Sequence, residues 1–191
     1  MQNNNFITNW LVDAGVIEKE EMELYDYAII SMILLIAPIV LAVLIGLILR
    51  CPMEAIIMVV PFMTLRKFCG GLHLKKLYVC LIVSTMIFFL SLLFVIYTTL
   101  LHLWYCIYVF DGVAILIMCP LDNVNKEILT KEQQLYKKIS LVQWIIYLCV
   151  IIGLTFWKKF NFVKSVISGI TIASCMLLIG HLVKYIKDRR I

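Results

Sequence analysis

Charge is what this sequence has least of. Only 15% of its 191 residues are Asp, Glu, Lys or Arg, 63% are apolar, and the mean hydropathy is +1.01. Soluble domains are roughly half apolar and about a quarter charged, so an ordinary water-soluble domain and a disordered chain are both excluded. The familiar binding signatures are also missing. There is no Walker loop, no dinucleotide fingerprint, no HExxH helix and no convincing internal repeat, which removes the nucleotide-binding and zinc-peptidase readings. Seven cysteines (51, 69, 80, 106, 119, 149, 175) lack CxxC spacing and lie mostly in apolar segments, so no disulfide framework is implied. The net charge of +5 is spread along segment edges. It suits anionic lipid headgroups or an acidic peptide partner and not nucleic acid.

What is present is a series of nearly uncharged runs: Ala28 to Leu49, Leu77 to Leu101, Leu103 to Leu121, Leu141 to Trp157 and Ser165 to Val183. Each approaches the ~17 to 25 residues that a spanning helix needs. The stretch Cys51 to Thr64 is shorter and holds Glu54, Pro52 and Pro61; it reads as a sixth crossing or a re-entrant piece, with the crossing preferred. The expected fold is therefore all-α, a polytopic integral membrane protein of five or six transmembrane helices. Residues 27–191 form a single transmembrane domain, with a cytoplasmic loop over 122–140 in which Thr130-Lys131-Glu132-Gln133 has the capping-box spacing that predicts a helix from Thr130. Residues 1–26 carry no basic leader and no small-residue cleavage site, so they are expected to stay on the mature chain. There Phe6, Ile7, Trp10, Leu11, Ala14 and Ile17 or Glu18 recur at helical spacing, predicting an amphipathic interfacial helix.

Basic residues set the orientation. Lys126, Lys131, Lys137 and Lys138 fall in one loop and Lys184, Lys187, Arg189 and Arg190 in the tail, against Lys158, Lys159 and Lys164 in the loop between. Eight against three places the first two inside. Counting back across the hairpin near His102 puts Arg66, Lys67, Lys75 and Lys76 inside as well.

That inner edge carries the chemistry. His73 and Cys80 stand seven apart where a basic stretch broken by Gly70-Gly71 enters an apolar segment. A thiol is nucleophilic as its thiolate, and an imidazole can take its proton. Lys75, Lys76 and a helix N-terminus at Cys80 would add positive potential. In one continuous helix the two would be about 10 Å apart along the axis, so the backbone is expected to depart from helix between Gly70 and Leu74. Two other readings stand beside a peptidase: a soft-metal site using Cys69, His73 and Cys80, and unreactive packing. His102 and Cys106 share an i, i+4 spacing but suit packing.

Arg66-x4-Gly71-x-His73-x6-Cys80, followed by Cys119-Pro120-Leu121-Asp122-Asn123-Val124-Asn125-Lys126, resembles the signature of the accessory gene regulator B (AgrB) family over nearly the whole chain. These are membrane endopeptidases that process quorum-sensing peptide precursors in the cell membrane of Gram-positive bacteria. The resemblance implies that Cys80 is the nucleophile and His73 its general base, with Arg66, Gly71 and Gly70 shaping or orienting the site. It implies a small amphipathic precursor with an acidic C-terminal tail, a thioester on Cys80, release by ring closure to a thiolactone or lactone, and a homodimer; no cofactor and no metal are expected. Arg66 either pairs with a carboxylate of that tail or anchors its helix among phosphates. Asp111 and Glu54 either orient His73 or are packing residues. Gly169, Ala173 and Gly180 offer a close-packing face, within or between subunits. The contrasting function is a non-catalytic membrane metal binder or transporter subunit.

Overall fold

The computed structural model describes residues 6–69, 77–120 and 130–189. They form seven α-helices and a 3-10 turn, with no strand among the described residues: α1 (Phe6–Asp13), the turn Lys19–Glu21, α2 (Met22–Ile48), α3 (Pro52–Cys69), α4 (Leu77–Tyr97), α5 (Leu101–Met118), α6 (Thr130–Phe156) and α7 (Phe160–Asp188). Among the described residues, Leu101–Met118, Glu132–Phe156 and Phe160–Val183 are long and apolar enough to cross a membrane, and Leu35–Ile48 and Ile82–Tyr97 are shorter apolar stretches within α2 and α4. Five or six such helices were expected. The short Cys51 to Thr64 stretch is one helix running on to Cys69, through Pro61 and past Arg66 and Lys67, which lowers its mean apolarity. Within the expected loop 122–140 the chain is helical from Thr130, where its capping-box spacing predicts a helix, and this helix continues without a break to Phe156; 121–129 lie outside the described residues.

The outside of the bundle is greasy. Leu35, Leu44 and Leu47 on α2, Leu90 and Phe94 on α4, Val109, Phe110 and Ile117 on α5, and Ile145 and Ile152 on α6 are all exposed. A water-soluble monomer limits its exposed apolar patches to a few hundred Å²; a belt on four helices is a lipid-facing surface.

The centre is α7. Eight consecutive residues, Val163 to Ile170, are buried, so the helix is covered around its whole circumference, as expected for one that is apolar or small on every side. It packs most heavily on α3 and α5, while α2 covers α3 and α4. The close approach to α3 depends on Gly169, where an added Cβ would lie 2.1 Å from the Met58 carbonyl oxygen. Gly169 and Ala173 thus use their small side within the subunit.

Three reversals have the same cap. After α1, Gly15 (φ 69°) has its N–H on the Val12 carbonyl, and the next N–H, from Val16, reaches the Leu11 carbonyl. Arg50 (φ 58°) and Lys158 (φ 56°) repeat the arrangement after α2 and α6, with Cys51 N–H on Gly46 O and Lys159 N–H on Leu154 O. This is the double hydrogen bond of a Schellman motif, which satisfies carbonyls that a helix end leaves open. Glycine is usual at the left-handed position; here two are basic residues, whose charge suits the negative end of the helix dipole.

The N-terminal segment is less extended than its periodicity predicts. Its helix is eight residues long, Trp10 is exposed, and the buried Thr8 donates a hydrogen bond to Asp26 at the start of α2.

Candidate active site

Hydrogen bonds between helix ends sort the bundle into two poles. At one pole the Lys164 ammonium donates to the carbonyls of Val95 (2.7 Å) and Thr98 (3.0 Å), tying the start of α7 to the end of α4. Read from sequence as a loop charge, Lys164 is buried and closes a neighbouring helix instead. Glu54, in the first turn of α3, lines a cavity of about 400 Å³ with Lys158, Lys159 and Asn161 at the same pole.

The opposite pole gathers the end of α3, the end of α5 and the first turns of α6. Cys69, the last residue of α3, donates its S–H to Ser140 Oγ (3.3 Å), and Cys119, just past α5, donates to the same oxygen (3.2 Å). Ser140 in turn donates to the Tyr136 carbonyl one turn back (2.9 Å). One hydroxyl is thereby saturated, with two thiols on its lone pairs and its hydrogen on a backbone oxygen. All three side chains are at most 5% exposed. The ring of Phe68 meets that of Tyr136, 6.1 Å between centroids. On α7, His181 Nε2 lies 2.7 Å from the Met118 carbonyl. A carbonyl can only accept, so Nε2 carries the proton, and His181 thereby covers the end of α5 immediately before Cys119.

The two thiols are not equivalent. Cys119 is held below the ordinary thiol range: once it is ionised the Cys69 S–H can turn from Ser140 to its sulfur, and Ser140 and the Lys137 ammonium add to this, with burial opposing. A thiolate on Cys119 has neighbours able to turn hydrogens toward it.

Cys69 lies inside the first motif and Cys119 opens the second, so the two sequence signatures meet at this pole, 50 residues apart in the chain. Cys80 is the fourth residue of α4, whose far end is the one held by Lys164. Since α4 spans about 30 Å, its first turn falls at the pole of Cys69 and Cys119, where the expected helix start at Cys80 is found. Gly70, Gly71 and His73, with the expected break in the helix from Gly70 to Leu74, lie outside the described residues. Arg66 is half-buried, its guanidinium 5.5 Å from the centroid of Phe62, which packs edge-on against Phe88 of α4 (5.1 Å). Its place is on the wall between α3 and α4, one turn before Cys69.

Asp111 is buried in the middle of α5 and accepts a hydrogen bond from Thr171 of α7 (2.7 Å). Beside it Gly112 admits the ring of Trp144, which an added Cβ would meet at 2.5 Å. That favours the packing reading of Asp111. Glu54 is about 22 Å from Cys69 along α3, at the other pole. Among the described residues no three His, Cys, Asp or Glu side chains gather as metal ligands. Ser140, His181 and the Thr64–Tyr147 contact (2.6 Å) that joins α3 to α6 had no sequence signal, because a single polar residue in an apolar helix has no spacing to recognise.

A lipid-facing helical bundle with two signature segments joined at one pole defines a membrane protein whose signature residues meet among helix termini. The sequence model for accessory gene regulator B, AgrB, matches residues 4–178 and includes both segments, so the chain belongs to the AgrB family. Membership supports a membrane-associated role in quorum-sensing peptide processing. No curated protein and no solved structure matches the chain.

Proposed function

We propose that this protein is a multi-pass cysteine endopeptidase of the Gram-positive cell membrane, which removes the acidic C-terminal extension of a small amphipathic autoinducing-peptide precursor. The observation that carries the proposal is the meeting of the two signature segments through Cys69, Ser140 and Cys119, at the pole where α4 begins with Cys80 in its first turns. His73 takes the Cys80 proton. The thiolate attacks the peptide bond preceding the extension, the amine of the extension leaves with a proton returned by His73, and the signal region stays on Cys80 as a thioester. A cysteine or serine of the bound peptide then displaces Cys80 and closes a thiolactone or lactone ring. Thioester exchange is nearly balanced in energy while hydrolysis discards the activation, so a site that limits water favours the ring.

In this reading α2 to α7 make six crossings, with α1 against the inner surface and the Cys69/Cys119 pole facing the cytoplasm. In support, α3 has 18 residues, about 27 Å of helix against a hydrocarbon core of about 30 Å, and its two ends lie at opposite poles. Residues 27–191 act as one domain, and two copies work together. Gly70 and Gly71 give the backbone freedom to bring His73 to Cys80, and Arg66 meets a carboxylate of the extension at the α3 wall.

The test is incubation of membranes holding the protein with such a precursor, followed by mass spectrometry of the Cys80 peptide. An acyl adduct removed by hydroxylamine is expected, absent from Cys80→Ala. His73→Gln should slow its formation by about 10²- to 10⁴-fold. Release of the extension by Cys80→Ala would overturn the assignment.

A further inference from the structure

Two cysteines with no assigned role sit where a covalent bond would matter most. Their sulfurs share one hydroxyl, at 3.3 Å and 3.2 Å from Ser140 Oγ. Cys69 ends α3 inside the first signature segment, and Cys119 follows α5 as the first residue of the second. The other described cysteines have no such relationship: Cys51 is at the opposite pole, after α2, while Cys106, Cys149 and Cys175 are exposed on their helices.

We propose that Cys69 and Cys119 are a reversible dithiol/disulfide pair, oxidised by hydroperoxides, that locks the end of α3 to the end of α5. Disulfides in a reducing compartment are characteristically transient and redox-sensing, and an inward-facing pole is such a setting. The asymmetry between the thiols assigns their roles. The Cys119 thiolate attacks one peroxide oxygen, the O–O bond breaks, and water or an alcohol leaves as Cys119 becomes a sulfenic acid. The Cys69 sulfur then attacks the Cys119 sulfur, the S–O bond breaks, water leaves with the Cys69 proton, and the S–S bond forms. The two thiols together lose two electrons and the peroxide gains two. A dithiol reductant reverses the step by exchange. Ser140 releases both thiols and keeps its bond to the Tyr136 carbonyl, so no buried hydroxyl is orphaned. A hydroperoxide is small enough to reach a closed helix end through local opening.

The consequence for function rests on the proposed endopeptidase. Cys69 immediately precedes the segment that leads to His73, so fastening it to Cys119 restricts the approach of His73 to Cys80. An ångström of misplacement slows such steps by about a hundred-fold.

Bond formation can be tested without any catalysis. Membranes holding Cys80→Ala are treated with hydrogen peroxide, free thiols are alkylated, and peptides are sequenced by mass spectrometry. A peptide pair joined through Cys69 and Cys119 is expected, lost on dithiothreitol treatment and absent from Cys69→Ser. Failure to find it, or joining of either cysteine to another residue, overturns the pairing whatever the chain's activity. In a second arm, precursor cleavage is measured on wild type and Cys69→Ser before and after peroxide. Each rate is divided by the fraction of Cys80 still alkylatable in that sample. Wild type should lose activity reversibly and Cys69→Ser should keep its own starting rate; an equal loss in both refutes the lock. An absence of cleavage in every untreated sample would count against the endopeptidase reading and leave the first arm standing.

Discussion

Replacing Gly169 by alanine would test the α3/α7 contact that supports the site. The added Cβ would stand 2.1 Å from the Met58 carbonyl oxygen, 2.7 Å from Pro61 Cγ and 3.1 Å from the Met58 carbonyl carbon. Carbon and carbonyl oxygen pack comfortably at about 3.3 Å or more, so α3 and α7 must part by more than about 1 Å at this crossing. Neither close atom can swing aside: one is backbone and the other belongs to a proline ring. A radial gap of 0.5–1 Å forfeits about a quarter to a half of each dispersion contact, and overpacking of this kind costs about 1–3 kcal/mol. The upper end applies because Met58, Phe62, Ile167 and Ile170 are packed to full burial around the crossing. In detergent, the unfolding free energy of Gly169→Ala should fall by about 2–3 kcal/mol, with precursor cleavage falling too as the Cys69 end of α3 shifts. Gly153 on α6 is the control, since a Cβ there meets nothing within 4 Å. Gly153→Ala should change stability by less than about 1 kcal/mol and in the favourable direction. Equal stability of the two variants would refute the close approach and, with it, α7 as the central helix.

Other outcomes follow from the caps and the buried polar groups. Arg50→Gly and Lys158→Gly each remove a left-handed strain of about 1–2 kcal/mol and add glycine's entropy cost of about 0.5–1, so chemical denaturation should register unchanged or slightly raised stability, and a clear loss would reject the caps. Ser140→Ala deprives two buried thiols and the Tyr136 carbonyl of their shared partner, at about 1–3 kcal/mol; Cys69 and Cys119 should then alkylate faster than in wild type, and unchanged rates would contradict the shared hydroxyl. Asp111→Asn keeps an acceptor for Thr171, while in Asp111→Leu the Thr171 hydroxyl can rely on the Ile167 carbonyl 2.9 Å away. Both should fold and cleave, and a loss of more than about a hundred-fold in cleavage at unchanged stability would return Asp111 to the catalytic histidine.

Reading the sequence gave the helical class and the approximate helices, because long apolar runs leave few alternatives in lipid. It gave the start of α6 through the Thr130 to Gln133 spacing, and the two motif segments through their residue types. Boundaries moved where charge interrupts hydropathy: α2 begins at Met22, before the apolar run, and α3 runs on to Cys69 through Arg66 and Lys67. The charge count that set the orientation treated Lys164 as free in a loop, since nothing in its neighbours tells that the carbonyls of Val95 and Thr98 await it.

By itself, the sequence determined that the chain is helical and made for a bilayer, since hydrocarbon leaves a backbone no cheaper way to satisfy its own polar groups. It also fixed which residue types border Cys80. Only the tertiary structure decided that α7 is central and α6 peripheral, because lipid-facing and protein-facing sides are equally apolar and only the fit of small residues separates them. The joining of Cys69 to Cys119 at Ser140 belongs there too, since hydrogen bonds between helix ends depend on where the ends arrive in space and leave no periodicity along the chain.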